Sequence, residues 1–314
     1  MSSSLDPTVA AADALLSSLN SYRILREYIP QDFFAEALSP TRIGVLIDTE
    51  TTGPDVQVDQ LVELGLIKFE YEVETGKVCR VLERFSGFNE PTIPISPEAS
   101  AVNGITFDMV KDHRISAMDI EEFLGGVSFI AAHNARFDRV IAEKLFPSLV
   151  GMEWACTLTQ IPWQEMGALT RKQEVLCMEQ GFFYHAHRAV VDCEALLYLL
   201  SKPCFNSLHT GLFHLLSEYS KRTLTLQALD TAFATKEVLK SRGYRWNEGS
   251  PSNPKGWFCE ISEGDKEAEL TWLRDTVYRG KPFQTLQSLI GADTRFGLSL
   301  PQPNLHSHGV KDDF

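Results

Sequence analysis

The sequence predicts an α/β fold: a mixed β-sheet with flanking helices, preceded by an N-terminal helical extension and followed by a small C-terminal α+β module. Three observations carry that expectation. From residue 43 onward, three apolar strand-like runs come in hairpin order and give way to alternating strand and helix patterns, as in a mixed sheet covered by helices. Acidic residues concentrate in one stretch, since residues 41–200 hold 13 basic and 24 acidic groups while 201–314 hold 14 and 13. Finally, 314 residues at 44% hydrophobic and 23% charged can bury a core without disulfides or a structural metal.

The elements follow in order. Residues 8–29 read as one helix, with Leu15, Leu16, Leu19, Tyr22 and Ile24 at mostly helical spacing, and Pro30 and Pro40 bracket a second helical piece at Phe33–Leu38. Ile43–Asp48 suits a buried strand. Leu61–Tyr71 and Lys77–Phe85 are two more, joined by the turn residues Glu74-Thr75-Gly76-Lys77. Pro91, Pro94 and Pro97 mark an extended connection, and Ser96-Pro97-Glu98 opens a helix with a cap followed by proline. Val127–Ala132 and Trp154–Leu158 are further strands. Ala135–Leu145, Lys172–Gln180 (closed by Gly181) and Ala189–Leu200 are helices. The domains expected are 1–40, 41–204, 205–297 and a polar tail, 298–314, expected to be disordered.

A net charge of −13 excludes generic coating of nucleic acid by a basic surface, but not a site that gathers carboxylates to hold divalent cations. The six cysteines are scattered without a C-x-x-C pair, which fits free thiols in a reducing compartment. No run approaches the roughly 18 apolar residues of a membrane span. The N-terminus lacks a basic region and carries Asp6 and Asp13, so a cytoplasmic location is expected.

Three short segments carry chemistry. Asp48-Thr49-Glu50 ends the first strand, where side chains two apart share a face and their Cα atoms lie about 6.6 Å apart. Two carboxylates so placed suit cations about 3.5–4 Å apart, although solvated loop acids give the same three letters. His133-Asn134-Ala135-Arg136-Phe137-Asp138 follows the strand at Val127–Ala132. It puts Asp138 on the first helical turn, where an acid also simply complements the helix N-terminus. In His187-Arg188-Ala189-Val190-Val191-Asp192 a separation of five places the two side chains roughly 140° apart on a continuous helix. They can share a site only if His187 lies on the loop and Asp192 on the first turns.

Together, in this order, residues 48–192 resemble the DEDDh 3′–5′ exonucleases, the RNase H-like family of the proofreading epsilon subunit of bacterial DNA polymerase III. Asp48–Gly53, His133–Asp138 and His187–Asp192 look like its three motifs, and Ile95–Ala99, Val102–Thr106 and Cys156–Leu158 also resemble family segments. Asn103 departs from the pattern, since epsilon-like members often carry histidine before Gly-Ile.

The resemblance implies that Asp48, Glu50, Asp138 and Asp192 hold two Mg²⁺ or Mn²⁺ ions and that His187 is the general base, for which an ordinary histidine pKa of about 6.5 is suited. It implies that the backbone around Thr51, Thr52 and Gly53, with Val102, Asn103 and Ile105, grips the 3′-terminal nucleotide, and that His133 and Asn134 also bind substrate. Gly53 would let backbone approach it closely. The implied products are nucleoside 5′-monophosphates, and the implied partner is nucleic acid, DNA ahead of RNA, with a polymerase or a second copy of the chain as further candidates. An inactive adaptor would be expected to lose one of these five residues.

The last third has no comparable signature. Phe205–Tyr219 reads as a helix, Leu224–Leu229 as a strand or the start of a helix, and Lys236–Gly243 as a basic helix ending on glycine. Tyr244–Trp246 and Gly256–Ile261 read as a hairpin, and Glu267–Val277 as a helix with Leu270, Leu273 and Val277 on one face. The module loosely resembles one found behind exonuclease domains in some bacterial proteins. Tyr244, Trp246 and Trp257 beside Lys240 and Arg242 are either the core of a small domain or a platform for single strands.

Overall fold

The computed structural model describes residues 7–18, 23–249, 254–297 and 302–309. The chain divides into two compact units, Met1–Tyr219 and Ser220–Phe314. Among the described residues no helix is long and apolar enough to cross a membrane. All six cysteines are buried free thiols.

The first unit is built on a five-stranded mixed sheet. Its strands are β1 (Thr41–Thr51), β2 (Leu61–Glu72), β3 (Val78–Phe88), β4 (Phe129–Ala132) and β5 (Trp154–Cys156), ordered β3-β2-β1-β4-β5. β1, β2 and β3 are antiparallel, while β4 and β5 add in parallel. Val45, Leu46 and Ile47 are buried in succession, as expected of a central strand covered on both faces. Three helices flank the carboxylate end of β1 in sequence or in space: α1 (Pro97–Asn103), α2 (Ala135–Glu143) and α3 (Ala189–Ser201). Ser96 caps α1 by accepting from the Ala99 N–H, Pro97 takes the first turn, and Gly104 closes the helix at φ +69.

Gly65 decides where α3 sits. A Cβ there would lie 2.3 Å from the Ala189 carbonyl carbon, so the helix start rests directly on β2. Asp48 is the register partner of Gly65, and Glu50 that of Glu63. The missing side chain therefore brings the first turn of α3 over the carboxylate end of β1.

The N-terminal segment departs from the expected helices. The helix covers Pro7–Ser17; residues 19–22 lie outside the described residues, and Arg26–Glu27 instead pairs in parallel with Phe182–Phe183. The Tyr28 ring packs on Tyr198 at 5.1 Å, an aromatic contact that helical periodicity does not reveal. Phe33–Leu38 is not helical either. Phe33 bridges Arg80, the N–H groups of Phe34 and Ala35 donate to the Cys79 carbonyl, and the Leu38 N–H donates to Glu72 Oε1. Between two prolines the segment is too short to sustain a helix, and the open edge of β3 offers it backbone partners.

The division falls after Tyr219 rather than at the expected 204/205. Helix α4 (Gly211–Tyr219) packs on the β2–β3 turn, where a Cβ on Gly76 would meet the Phe213 nitrogen at 2.4 Å, and Tyr219 lies 5.1 Å from the Phe129 ring.

The second unit is an antiparallel sheet of β6 (Thr223–Ala228), β7 (Arg245–Asn247), β8 (Gly256–Ser262), β9 (Phe283–Ile290) and β10 (Asn304–His308). Helix α5 (Lys236–Ser241) lies between β6 and β7 in sequence, and α6 (Lys266–Trp272) between β8 and β9. The order β10-β9-β6-β8-β7 is a split β-α-β-β-α-β arrangement with one added edge strand. Leu224–Leu229 thus resolves as a strand, and the expected hairpin is β7 with β8. Strand β9 is not anticipated by the sequence pattern. The tail expected to be disordered instead supplies β10, whose His308 ring stacks on Phe283 at 4.7 Å and bonds Thr285 Oγ1 at 2.9 Å. Residues 298–301 and 310–314 of that tail lie outside the described residues.

Candidate active site

The end of β1 and the first turn of α3 bring carboxylates together. One oxygen each from Asp48, Glu50 and Asp192 lies within 4.8 Å of the other two. Asp138 stands in the first turn of α2, buried, its Oδ1 accepting from Thr49 Oγ1 at 2.8 Å. Asp192 is fixed on both oxygens. The Tyr184 hydroxyl donates to Oδ1 at 2.9 Å, and the N–H groups of His187 and Arg188 donate to Oδ2 at 2.8 and 3.1 Å. The condition set by the spacing is met: His187 lies on an exposed loop at φ +71, and Asp192 lies in the first helical turn.

Burial and mutual repulsion act on all four acids. Asp48 is pushed well above the usual carboxylate range by burial and then by the charges of Asp138, Asp192 and Glu50. Glu50 is pushed up to about 7, first by burial and then by Asp192, against a hydrogen bond from Asn103. Burial also raises Asp138 and Asp192. Carboxylates so crowded cannot all be charged without a counter-charge, and an all-oxygen donor set fits hard divalent cations.

The residues expected to touch substrate separate into three groups. Val102 is exposed in the last turn of α1 and Asn134 is exposed at the start of α2. Asn103 is buried between its bond to Glu50 and the Ile105 N–H, which donates to its Oδ1 at 2.9 Å. The side chains of the others make contacts within the fold. Ile105 is core with Val62 and Val110. Thr51 Oγ1 donates to the Gly53 carbonyl, and Thr52 Oγ1 to Asp59 Oδ1, while the Thr52 N–H and carbonyl bond Gln60 and Ser96. A Cβ on Gly53 would stand 2.6 Å from Asp59 Oδ2, so the turn packs closely on that carboxylate. His133 is engaged at both nitrogens, Nδ1 with Thr157 Oγ1 and Nε2 with the Arg171 carbonyl, each at 2.8 Å. Burial pushes its pKa down to about 4, and the ring links the segments of Thr157 and Arg171.

The platform expectation also changes. Tyr244 is 3% and Trp257 7% exposed, both in the core of the second unit. Arg242 forks onto Glu269 at 2.8–3.0 Å and covers the Trp272 ring, and Lys240 pairs with Glu237 at 3.7 Å. Of the five residues only Trp246, 43% exposed, presents an aromatic face.

Sequence reasoning missed the brace behind the third motif. Glu63, 1% exposed, accepts from Arg188 Nε at 3.2 Å, from its Nη2 at 2.9 Å and from the Ala189 N–H at 3.2 Å. The signal was present as a lone carboxylate inside the apolar run Leu61–Phe69.

A family model described as an exonuclease, RNase_T, matches residues 45–200. The chain belongs to this exonuclease family. The exonuclease segment is 33% identical over 112 residues to the PolC-type DNA polymerase III of Thermotoga maritima, covering 35% of this chain and 8% of that protein. It is 30% identical over 155 residues to exodeoxyribonuclease 10 of Escherichia coli, covering 47% of this chain and 62% of that protein. A solved exonuclease X in complex with 5′ overhanging duplex DNA matches 49% of this chain and 88% of that chain at 30% identity, with a TM-score of 0.36.

Proposed function

We propose that the first unit is a metal-dependent 3′–5′ exonuclease releasing nucleoside 5′-monophosphates from the 3′ end of DNA, single-stranded or frayed. The observation that carries this reading is the convergence of Asp48, Glu50 and Asp192 within 4.8 Å, with the exposed His187 donating its N–H to Asp192. Asp48, Glu50, Asp138 and Asp192 would hold two Mg²⁺ or Mn²⁺ ions. Bound there, such ions lower the pKa of a water and offset charge on the scissile phosphate and the leaving 3′ oxygen.

The chain's own groups supply the rest. Tyr184 and two backbone N–H groups hold Asp192 in one orientation, so little reorganisation is left for the reaction. His187 takes the proton of the attacking water as general base. Val102 and Asn134, both exposed, meet the terminal nucleotide. DNA is favoured because the relatives are named as a DNA polymerase and an exodeoxyribonuclease. The PolC-type likeness also supports a polymerase as the partner to test first.

The test is degradation of 5′-labelled DNA and RNA oligonucleotides with Mg²⁺, Mn²⁺ or EDTA. A ladder of shortened labelled DNA that EDTA abolishes is expected. Internal cleavage, or activity in EDTA, overturns the reading, and faster loss of RNA moves the substrate class.

A further inference from the structure

The first unit carries a cavity of about 820 Å³ beside α1. One wall is the extended run Glu90–Ile95; the other is Ser100, Thr106, Phe107 and Arg114. Its floor is aliphatic, from Pro91, Ile93, Pro94 and Ile95, and Phe107 is 45% exposed beside it. Arg114 is exposed and makes no ion pair or hydrogen bond among the described residues. Glu90, the acid in the lining, is occupied, its Oε2 accepting the Asp112 N–H at 3.0 Å. An aromatic face, an apolar floor and a free guanidinium together suit a flat ring linked to an anion.

Both sides of the lining are tied to segments that also carry the carboxylate cluster. The Ser96 N–H donates to the Thr52 carbonyl at 2.9 Å, and the Gln60 side chain joins Thr92 while its N–H bonds Thr52 Oγ1. On the other side Ser100 stands one turn before Asn103, which bonds Glu50. The seam Thr52–Ser96 and helix α1 thus join residues that line the cavity, or stand next to its lining, to the strand and helix end that carry the cluster.

We propose that this cavity is the subsite for an unpaired base upstream of the 3′ end, stacked on Phe107 with its phosphate at Arg114. The proposal rests on the exonuclease reading and assigns to the site a preference for strands that arrive single-stranded. Base–aromatic stacking on such platforms is sequence-tolerant, so the subsite holds any base.

The test compares wild type, Phe107→Ala, Phe107→Trp and Arg114→Ala, all in the full chain. Two substrates are used: a long single-stranded DNA, and the p-nitrophenyl ester of thymidine 5′-monophosphate, which has no upstream strand. With Phe107→Ala, kcat/KM on the long strand should fall roughly 5- to 150-fold, the loss expected for one stacked base. Ester hydrolysis should not change, and Phe107→Trp should restore the long-strand rate. Arg114→Ala should weaken long-strand binding and flatten its dependence on salt by roughly the 0.7 log units per tenfold salt expected for one phosphate contact on a single strand. Unchanged long-strand cleavage in both alanine variants overturns the proposal and leaves the cavity for another ligand, such as a peptide. Equal losses on both substrates overturn it too, because they mean a structural role. A wild type that cleaves neither substrate defeats the exonuclease reading itself.

Discussion

Asp48 sits where burial and four neighbouring carboxylates all oppose its negative charge, and that opposition has a sign that can be measured. Glu50 keeps its proton up to about 7 against an ordinary 4.5, so the folded metal-free chain holds protons that the unfolded chain releases. Its contribution to stability is full below about 4.5 and is lost as pH rises through about 7. The metal-free melting temperature should therefore fall across that window, and Mn²⁺ added above it should raise the melting temperature again. A ligand at a hundredfold its Kd adds about 2.7 kcal/mol. Asp48→Asn should abolish degradation, remove the Mn²⁺ shift and raise the metal-free melting temperature above neutrality. Retained metal-dependent cleavage in that variant would sink the site assignment. For His187→Ala a loss of about 10²- to 10⁴-fold in kcat is expected, with the Mn²⁺ shift intact. Near-normal turnover would mean that the water loses its proton elsewhere.

At the scale of elements, the site depends on how closely α3 can lie on β2. Gly65→Ala forces a methyl into backbone 2.3 Å away and must lift the helix start, moving Asp192 from Asp48. A loss of about 1–3 kcal/mol in stability is expected from such overpacking, with near-complete loss of activity. An active Gly65→Ala enzyme would show that α3 does not set the geometry. The helix start is held by Arg188 on Glu63, and removing the guanidinium would strand a buried carboxylate at about 3–5 kcal/mol.

These elements also show what the sequence could and could not disclose. Asp48 with Glu50, and His187 with Asp192, are local spacings on one element or its flank, so period rules give their placement, while their roles come from the resemblance of the three motifs taken together. Glu63 and Arg188 are 125 residues apart, and a contact of that range leaves only a charge in an apolar run as its trace. The same reason explains 26–38, where pairing with Phe182–Phe183 and with the edge of β3 overrode local helical spacing. His133 and Gly53 stand in motifs that are legible in the sequence, but their partners, Thr157, Arg171 and Asp59, lie far enough along the chain or in loops irregular enough that no spacing rule discloses them.

For the whole molecule the question is what Ser220–Phe314 contributes. Residues 221–246 hold six basic groups against two acidic ones, which by count alone suggests a strand-binding surface. The pairings weaken that suggestion, because Arg222 binds Glu263, Arg242 binds Glu269, and Lys240 binds Glu237. Tyr244 donates to Glu269 Oε1 at 3.0 Å from within the core, so Tyr244→Ala should melt this unit rather than only weaken binding. A large-to-small change of a buried aromatic costs about 3–5 kcal/mol, which a thermal scan detects as an early transition. Trp246→Ala distinguishes the roles, since its ring is half-exposed: a surface role predicts an unshifted transition with weaker binding to long strands. The unit boundary gives the companion experiment. A chain ending at Tyr219 keeps α4 and the Tyr219–Phe129 contact, and should fold and cleave short oligonucleotides as the full chain does. A chain ending at Cys204 removes α4 from the turn at Gly76 and should lose stability before any effect on substrate can be read. If the chain ending at Tyr219 also cuts long strands at the full rate, Ser220–Phe314 does not hold the strand. Trp246 would then face a partner other than nucleic acid.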